Sequence, residues 1–278
     1  RYQAIAESYI DATRDGKSAL VVSPTHFEGN RITDEIRRQL RSHGALGDDA
    51  RSFSELIPAN LTLGQKHDPL SYRSGDVLVF HQNAPGHRKG QRLIVGQDEV
   101  PFDAAERFTV FHQDHIEVAT GDRLRITKNG TTADTAHRLN NGDLFTITGF
   151  SDSGDLQLNN GWTISKDYGH IAHGLVVTSY ASQGKTVDRV IIGQSSRSFR
   201  ASSREQFYVS ASRGRQQVLV FTDDKDELIQ AVSRSDERLS GTELLAGVEV
   251  AHRKIIHERL AEQSREADAL AVVEHSRE

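Results

Sequence analysis

The sequence predicts an α/β protein whose mainly parallel sheet is interrupted by a separate antiparallel β region. Three observations support this fold class. Helix and strand patterns alternate over residues 1–41, a run of short strand patterns begins near Tyr72, and the α/β alternation returns after residue 170. Turn signals of the Asn-Gly type divide the short strands and favour antiparallel hairpins. The order predicts a small antiparallel barrel or sandwich inserted into one α/β domain.

The first α/β part consists of two amphipathic helices around one strand. Apolar residues recur at helical spacing on either side of the strand "ALVVS", with Ile5, Tyr9 and Ala12 before it and Ile32, Ile36 and Leu40 after it. The antiparallel part contains seven strand-like runs: "GDVLVF", "RLIVG", "RFTVFHQ", "HIEVA", "RLRIT", "DLFTITGF" and "LQLNNGWTI".

The second α/β part reads as strand, strand, helix, strand and helix: "LVVTSY", "VDRVII", "SSREQFYVSAS", "QVLVFTDD" and "KDELIQAV". Ser202 and Glu205 have the spacing of a capping box at the start of the first of these helices. We therefore predict four segments: residues 1–68 and 171–240 as the two parts of one α/β domain, 69–170 as the inserted β region, and 241–278 as a charged helical tail.

Composition narrows the class of protein. The 278 residues are 36% hydrophobic and 26% charged, as in soluble proteins, and without cysteine they cannot form disulfides or use a catalytic thiol. No apolar run approaches the ~20 residues of a membrane span, and the start lacks a secretory signal, so a cytoplasmic setting without a membrane is expected. A chain that starts at Arg1 and lacks methionine is expected to be a fragment. The net charge of −5 leaves nucleic-acid binding to local basic patches.

Residues 184–186 have the Gly-Lys-Thr ending of a Walker phosphate loop. That loop also requires a glycine at position 179, where this chain has Ser179, and a helix after the threonine. Here the β-branched run "VDRVII" follows instead, which predicts a strand. A self-contained GKT kinase or NTPase is therefore disfavoured.

Two motifs around this segment resemble the last two signature motifs of superfamily 1 helicases, in the branch of RecD and the conjugative relaxase-helicases. The form T-x-H-x-x-Q-G is matched by Thr178, Tyr180, Gln183 and Gly184, with tyrosine in place of histidine, and V-A-x-S-R by Val209, Ser210, Ser212 and Arg213. Residues 19–40 are similar to the motif that opens the second RecA-like domain, and "RLRITKN" with "LNNGDLFTITGF" resembles the SH3-like barrel inserted there. The resemblance covers residues 18–235 and is closest to the MobF relaxases.

The resemblance implies a RecA-like second helicase lobe that shares ATP with an absent upstream lobe. That upstream lobe would bind most of the ATP and Mg²⁺, and this chain would supply Arg213 as an arginine finger. Gln183, Gly184, Lys185 and Arg215 would lie near the nucleotide. The alternatives are a surface helix residue for Arg213, a solvated lysine for Lys185 and an exposed salt bridge for Arg215.

The resemblance also implies contacts with single-stranded DNA. The residues concerned are Thr178, Ser179, Tyr180 and Ser182 after one strand, and Thr25, Asn30 and Arg31 after another. A packing role for Tyr180 and a helix-capping role for Asn30 are the alternatives.

Two further basic patches occur in the β region, and both are also explained as ordinary surface. One contains His87, Arg88, Lys89 and Arg92, and the other contains Arg123, Arg125 and Lys128. His112, Asp114 and His115 give only a weak metal signal, and we predict no metal site.

The function that the resemblance implies is that of the C-terminal motor lobe of an ATP-dependent DNA helicase in a MobF relaxase. Its partners would be single-stranded DNA, the upstream lobe and an N-terminal relaxase domain. The alternative is a degenerate helicase-like module that docks DNA or protein without ATPase function.

Overall fold

The computed structural model describes residues 1–182 and 186–235, and one compact unit spans Arg1–Arg234. Its α-helices are α1 (Tyr2–Arg14), α2 (His26–Ser42), α3 (Leu63–Lys66), α4 (Arg204–Ala211) and α5 (Lys225–Ser233). Its strands are β1 (Ala19–Val22), β2 (Arg51–Pro58), β3 (Val77–Phe80), β4 (Arg92–Ile94), β5 (Phe108–Val118), β6 (Arg123–Ile126), β7 (Gly130–Thr131), β8 (Arg138–Leu139), β9 (Leu144–Phe150), β10 (Leu156–Leu158), β11 (Thr163–Ile164), β12 (Ile171–His173), β13 (Val176–Val177), β14 (Val187–Gly193) and β15 (Gly214–Phe221). The predicted tail, residues 241–278, lies outside the described residues.

The α/β part is a four-stranded parallel sheet in the order β13-β1-β14-β15. Helices α1 and α2 cover one face, where Ile5, Ile32 and Ile36 pack against Val21 and Ile191. The opposite face is covered by α4 and by a short 3₁₀ helix after β13. The predicted mixed α/β fold with a parallel sheet is confirmed, because the apolar stripes of the helices and the β-branched strands form a common core.

The region between the two α/β parts is antiparallel, as predicted. It contains a four-stranded sheet β2-β5-β3-β4, a five-stranded sheet β11-β10-β9-β6-β12 and the pair β7-β8. Strand β2 precedes residue 69, yet it pairs with β5 from Arg51↔Val118 to Pro58↔Phe111. The two predicted runs "RFTVFHQ" and "HIEVA" form the single strand β5, whose two halves belong to different hydrophobic cores.

A buried ion pair joins the antiparallel region to α2. Arg37 donates from Nε and Nη2 to the two carboxylate oxygens of Asp122, at 2.8 and 2.9 Å, and the Asp122 side chain is fully buried. Asp122 also accepts from the Ala119 N–H at 2.8 Å. Next to it, Gly121 has φ +93°, and a Cβ there would lie 2.3 Å from the Ala45 carbonyl oxygen. The turn between β5 and β6 is thus held against the segment after α2.

The N-cap of α4 lies one residue later than the sequence predicts. Ser203 is the N-cap of α4, and its hydroxyl accepts from the Gln206 N–H at 3.3 Å. Ser202 instead ends the preceding 3₁₀ helix, and its hydroxyl donates to the Ser198 carbonyl at 3.2 Å. The capping box of Ser202 and Glu205 is therefore wrong, because adjacent serines offer two possible caps and the preceding 3₁₀ turn uses the first.

A half-buried carboxylate lies in the four-stranded antiparallel sheet. Glu55 on β2 stands directly opposite Asp114 on β5. Burial, and then the charge of Asp114, raise the pKa of Glu55 to about 7, although Arg125 acts in the opposite direction.

The buried ion pair gives a direct stability prediction. Asp122→Ala should lower the free energy of unfolding by about 3–5 kcal/mol, because it leaves the Arg37 guanidinium buried without its partner. Urea denaturation measures the loss. The control is Asp15→Ala, whose carboxylate is 53% exposed beside Arg189 and should contribute only about 0–1 kcal/mol. Equal losses in the two variants would contradict a special role for the buried pair.

Glu55 predicts a pH dependence of stability. Since the folded pKa of about 7 lies above the ordinary 4.5, the folded state holds the extra proton between these values, and stability falls as pH rises through that window. Between pH 5 and pH 8, the free energy of unfolding of Glu55→Gln should therefore fall by about 1–3 kcal/mol less than that of wild type. Urea midpoints measured at pH 5 and pH 8 test it, with the exposed Glu106→Gln as control. Parallel pH profiles for wild type and Glu55→Gln would refute the assignment.

Candidate functional site

The residues predicted to contact DNA or the nucleotide lie at two opposite edges of the parallel sheet. We call the residues after β1 and β13 the carboxyl edge, and those at the starts of β1, β14 and β15 the amino edge. Thr25 and Thr178 belong to the carboxyl edge, and Arg213 and Arg215 belong to the amino edge. Ligands of open α/β sheets bind at the carboxyl ends of strands, so the carboxyl edge is the expected contact surface.

The carboxyl edge is formed by two adjacent strand ends. The Ser23 N–H donates to the Val177 carbonyl at 3.0 Å, which joins the ends of β1 and β13. After β13, the half-buried Thr178 accepts from the Ala181 N–H at 3.4 Å. The buried Ser182 hydroxyl donates to the carbonyl of Ser179, whose own side chain is also buried. Thr178 is therefore more accessible to a ligand than Ser179 or Ser182. The hydrogen bond between the two serines stabilises the turn.

Thr25, and not Asn30, caps α2. The helix begins at His26, and the Thr25 hydroxyl accepts from the Glu28 N–H at 3.4 Å. Asn30 is therefore exposed in the second turn, and the capping alternative for Asn30 is wrong because the helix starts earlier than the sequence pattern indicated. Arg31 lies on the same exposed stretch, with its guanidinium carbon 4.8 Å from the centre of the exposed Phe27 ring.

Arg213 follows α4 at the amino edge. Its Nε donates to the Val209 carbonyl at 3.0 Å and its Nη2 donates to the Ser212 hydroxyl at 2.9 Å, so the half-buried side chain lies against the end of α4. The Arg213 carbonyl accepts from the Val187 N–H at 3.0 Å. These bonds fix the guanidinium relative to the start of β14.

Arg215 is held by a carboxylate that the sequence analysis missed. Its Nη2 donates to Asp188 at 3.0 Å, and the other Asp188 oxygen accepts from the N–H and hydroxyl of Ser18 at 2.9 and 2.6 Å. The Ser18 bonds, followed by the charge of Arg215, hold the pKa of Asp188 below its ordinary value. Ser18 and Asp188 could have been found, because the starts of neighbouring parallel strands lie at one edge.

The two edges are not brought together. Arg213 lies level with Val187, whereas Thr178 lies beyond the level of Ile192, five residues along β14, which corresponds to roughly 17 Å of strand. Gln183, Gly184 and Lys185 connect the two edges along the chain, but they lie outside the described residues. The Tyr180 side chain is likewise not described.

A second carboxylate missed from the sequence supports the carboxyl edge. Glu28 in the first turn of α2 is only 2% exposed and accepts from the Ser195 N–H at 3.3 Å. Its other oxygen is 2.9 Å from Nη2 of Arg1. Glu28 therefore ties the start of α2 to the segment after β14. Glu28 lies four residues before Ile32 on the buried face of α2, so its position follows the helical period, but a charged side chain gives no apolar signal there.

Across residues 1–182 and 186–235, no cluster of three or more histidines or carboxylates is arranged to hold a metal ion. His112 bonds Asp76 at 2.7 Å. None of the helices in these same ranges has the length and apolar character that crossing a membrane requires.

Comparison with known proteins supports the resemblance predicted from the motifs. No family model matches the chain. The chain is 25% identical over 259 residues to the multifunctional conjugation protein TraI of Escherichia coli K12, which covers 85% of this chain and 14% of that protein. A second Escherichia coli TraI is 25% identical over 269 residues. The chain thus spans about one seventh of the length of these curated relatives.

Solved structures with some likeness are helicases. Pif1 helicase from Bacteroides, in complex with ADP-AlF3 and single-stranded DNA, has 14% identity and a TM-score of 0.40 over 85% of this chain and 45% of that chain. Pif1 helicase from Candida albicans has 13% identity and a TM-score of 0.35 over 85% of this chain and 49% of that chain.

The motifs and the parallel sheet point to the same resemblance. The chain resembles the superfamily 1 helicase lobes of the RecD and conjugative relaxase-helicase type. The similarity to TraI over most of the chain confirms this resemblance.

The cap assignment at the carboxyl edge is testable. Thr25→Ala should lower the free energy of unfolding by about 1 kcal/mol, because it leaves an N–H at the start of α2 without an acceptor. Asn30→Ala, at an exposed position inside the helix, is the matched control and should stay within about 0.5 kcal/mol of wild type. Thermal or urea unfolding measures both, and the reverse ranking would restore Asn30 as the cap.

Proposed function

We propose that this chain is the second RecA-like motor lobe of an ATP-dependent DNA helicase, part of a MobF-type conjugative relaxase. In this proposal it binds single-stranded DNA and supplies an arginine finger to ATP held by an upstream lobe. The observation that carries it is the similarity to TraI over 85% of the chain, together with a parallel sheet that bears the two helicase motifs at its strand ends.

Arg213 is proposed as the finger because its position is fixed and its charge is permanent. Two hydrogen bonds hold its guanidinium at the end of α4, and its carbonyl anchors it to β14. A guanidinium presents several planar donors and stays protonated, which suits the charge that develops on the γ-phosphate in a loose transition state. Arg215 already pairs with Asp188. We therefore assign Arg215 a supporting position near the nucleotide and Arg213 the direct contact.

The proposed DNA contacts lie on the carboxyl edge and the exposed side of α2. Thr178 and Thr25 offer hydroxyls at two adjacent strand ends, and Asn30 and Arg31 extend the polar surface along α2. Arg31 would neutralise a backbone phosphate, since phosphate contacts dominate affinity for DNA. Tyr180 would stack on a base, and Ser179 and Ser182 would shape the turn that presents it.

The nucleotide is proposed to bind mainly outside this chain. Position 179 is serine rather than the first glycine of a Walker loop, and β14 follows Thr186 where such a loop would begin a helix. Gln183, Gly184 and Lys185 then act as a coupling segment between DNA and ATP, with Mg²⁺ and most of the ATP held by the upstream lobe. The remaining proposed partner is an N-terminal relaxase domain in a cytoplasmic, bacterial protein.

The inserted β region is proposed to be the SH3-like barrel of this helicase branch. Because β2 pairs with β5 along its length, we propose that the insertion begins near Arg51 and ends near His173. The alternative function is a degenerate lobe that docks DNA or protein without ATPase activity.

The finger assignment predicts a large kinetic effect. In a protein that joins residues 1–278 to the upstream ATP-binding lobe, Arg213→Ala should lower DNA-stimulated ATP turnover by about a thousandfold or more, because the γ-phosphate loses its cationic partner. Arg200→Ala, at an exposed position in the 3₁₀ helix before α4, is the matched control and should stay within about twofold of wild type, because it changes only a surface side chain.

Two results would contradict this account. Robust ATP turnover by residues 1–278 alone, with single-stranded DNA present, would exclude the split nucleotide site. Unchanged turnover in Arg213→Ala, with DNA binding retained in a fluorescence anisotropy titration, would favour the docking module.

A further inference from the structure

Two basic segments that are separate in the sequence meet in the antiparallel region. Arg92 on β4 donates from Nη1 and Nη2 to the carbonyls of Asp167 and Tyr168, both at 2.6 Å. The Tyr168 hydroxyl in turn donates to the carbonyl of Lys128, at 2.5 Å. The segment before β12 therefore brings the two cationic residues into one cluster.

The ammonium group of Lys128 is buried and has no hydrogen-bond partner. It lies 4.7 Å from the centre of the Phe111 ring. A cation–π contact compensates only part of the cost of removing an ammonium group from water, because all three of its N–H donors remain unpaired.

His170 adds a second unpaired nitrogen beside the same ring. The residue is 4% exposed, and its Nδ1 is buried without a partner. Its ring centre lies 4.9 Å from that of Phe111 and 5.7 Å from that of Tyr168. Lys128 and His170 thus both contact Phe111, and each retains a polar nitrogen that the described chain does not satisfy.

The charges in the cluster are not balanced. Burial, and then the charges of Lys128 and Arg92, lower the pKa of His170 to about 3. Burial and Arg92 also lower the pKa of Lys128. Burial lowers the pKa of Arg92, and the charge of the exposed Asp167 acts in the opposite direction. Within residues 1–182 and 186–235, no ion pair joins Lys128 or His170 to a carboxylate.

We propose that Arg92, Lys128 and His170 form a binding site for a phosphate group. A phosphate oxygen can accept from the ammonium group, from an imidazole N–H and from the guanidinium N–H groups that the two carbonyls leave free. It also supplies the negative charge that the cluster lacks. The site goes beyond the proposed function, which places DNA at the parallel sheet. A DNA backbone phosphodiester and a free phosphate share this chemistry.

Thermal unfolding of the full chain, residues 1–278, tests the site. Sodium phosphate at about ten times its dissociation constant should raise the wild-type Tm by about 3–5 °C over sodium chloride of equal ionic strength. Lys128→Met should abolish this rise. Lys89→Met, at an exposed position in the loop before β4, is the matched control and should respond like wild type. Equal rises in wild type and Lys128→Met would overturn the proposal.

A second measurement uses the wild-type protein and does not depend on how Lys128→Met folds. The ¹⁵N resonances of the His170 imidazole, assigned by comparison with His170→Gln, should shift on titration with inorganic phosphate or with a short abasic oligodeoxynucleotide. A shift with the abasic DNA identifies the DNA backbone as the ligand, and a shift with inorganic phosphate alone identifies a free phosphate. No shift with either probe would refute the site.

Discussion

The position of β1 between β13 and β14 is the constraint on which the rest of the unit depends. Four residues of β1 pair with Arg189–Ile192, and two of them also pair with Val176 and Val177. This pairing aligns strands from distant parts of the sequence, buries the apolar stripes of α1 and α2, and sets Ser18 beside Asp188. Without it, neither edge of the sheet would exist.

The parallel arrangement separates two kinds of chemistry. Hydroxyl groups and the N-terminus of α2 lie after the strands, whereas Asp188 and the two arginines lie at the strand starts. A segment of a few residues after Ser182 links the two edges along the chain. In the proposed helicase this geometry gives DNA and ATP different edges of one sheet. At the amino edge, the Asp188 carboxylate joins the starts of β1, β14 and β15 through its bonds to Ser18 and Arg215.

Local pattern predicted the layers of the fold, but not the choices made by tertiary contacts. The apolar stripes of α1 and α2 and the β-branched run of β14 can be recognised in the sequence, because apolar residues recur at the spacing of the positions that are buried. Tertiary contacts decide three features that local pattern does not: the cap at Ser203, the start of α2 and the pairing of β2 with β5. At each, the sequence allows more than one hydrogen-bond partner. Gly130 illustrates the limit: its Asn-Gly pair predicts a turn, yet it lies in β7, where a Cβ would approach the Tyr168 ring within 2.5 Å. The positions of Thr25 and Thr178 after strands were predictable from the sequence, but the contacts of the Glu28 carboxylate with Ser195 and Arg1 were not.

The two ends of the antiparallel region also lie next to each other. The Leu56 N–H donates to the Gly169 carbonyl at 2.8 Å, across more than a hundred residues of chain. In the unfolded chain, closing so long a loop to pair β1 with β14 costs entropy, whereas most pairings inside the region are more local. Folding of the antiparallel region first would bring its ends together and replace that long loop with a short one. The inserted region would then serve as the folding template for the parallel sheet whose strands flank it in the sequence.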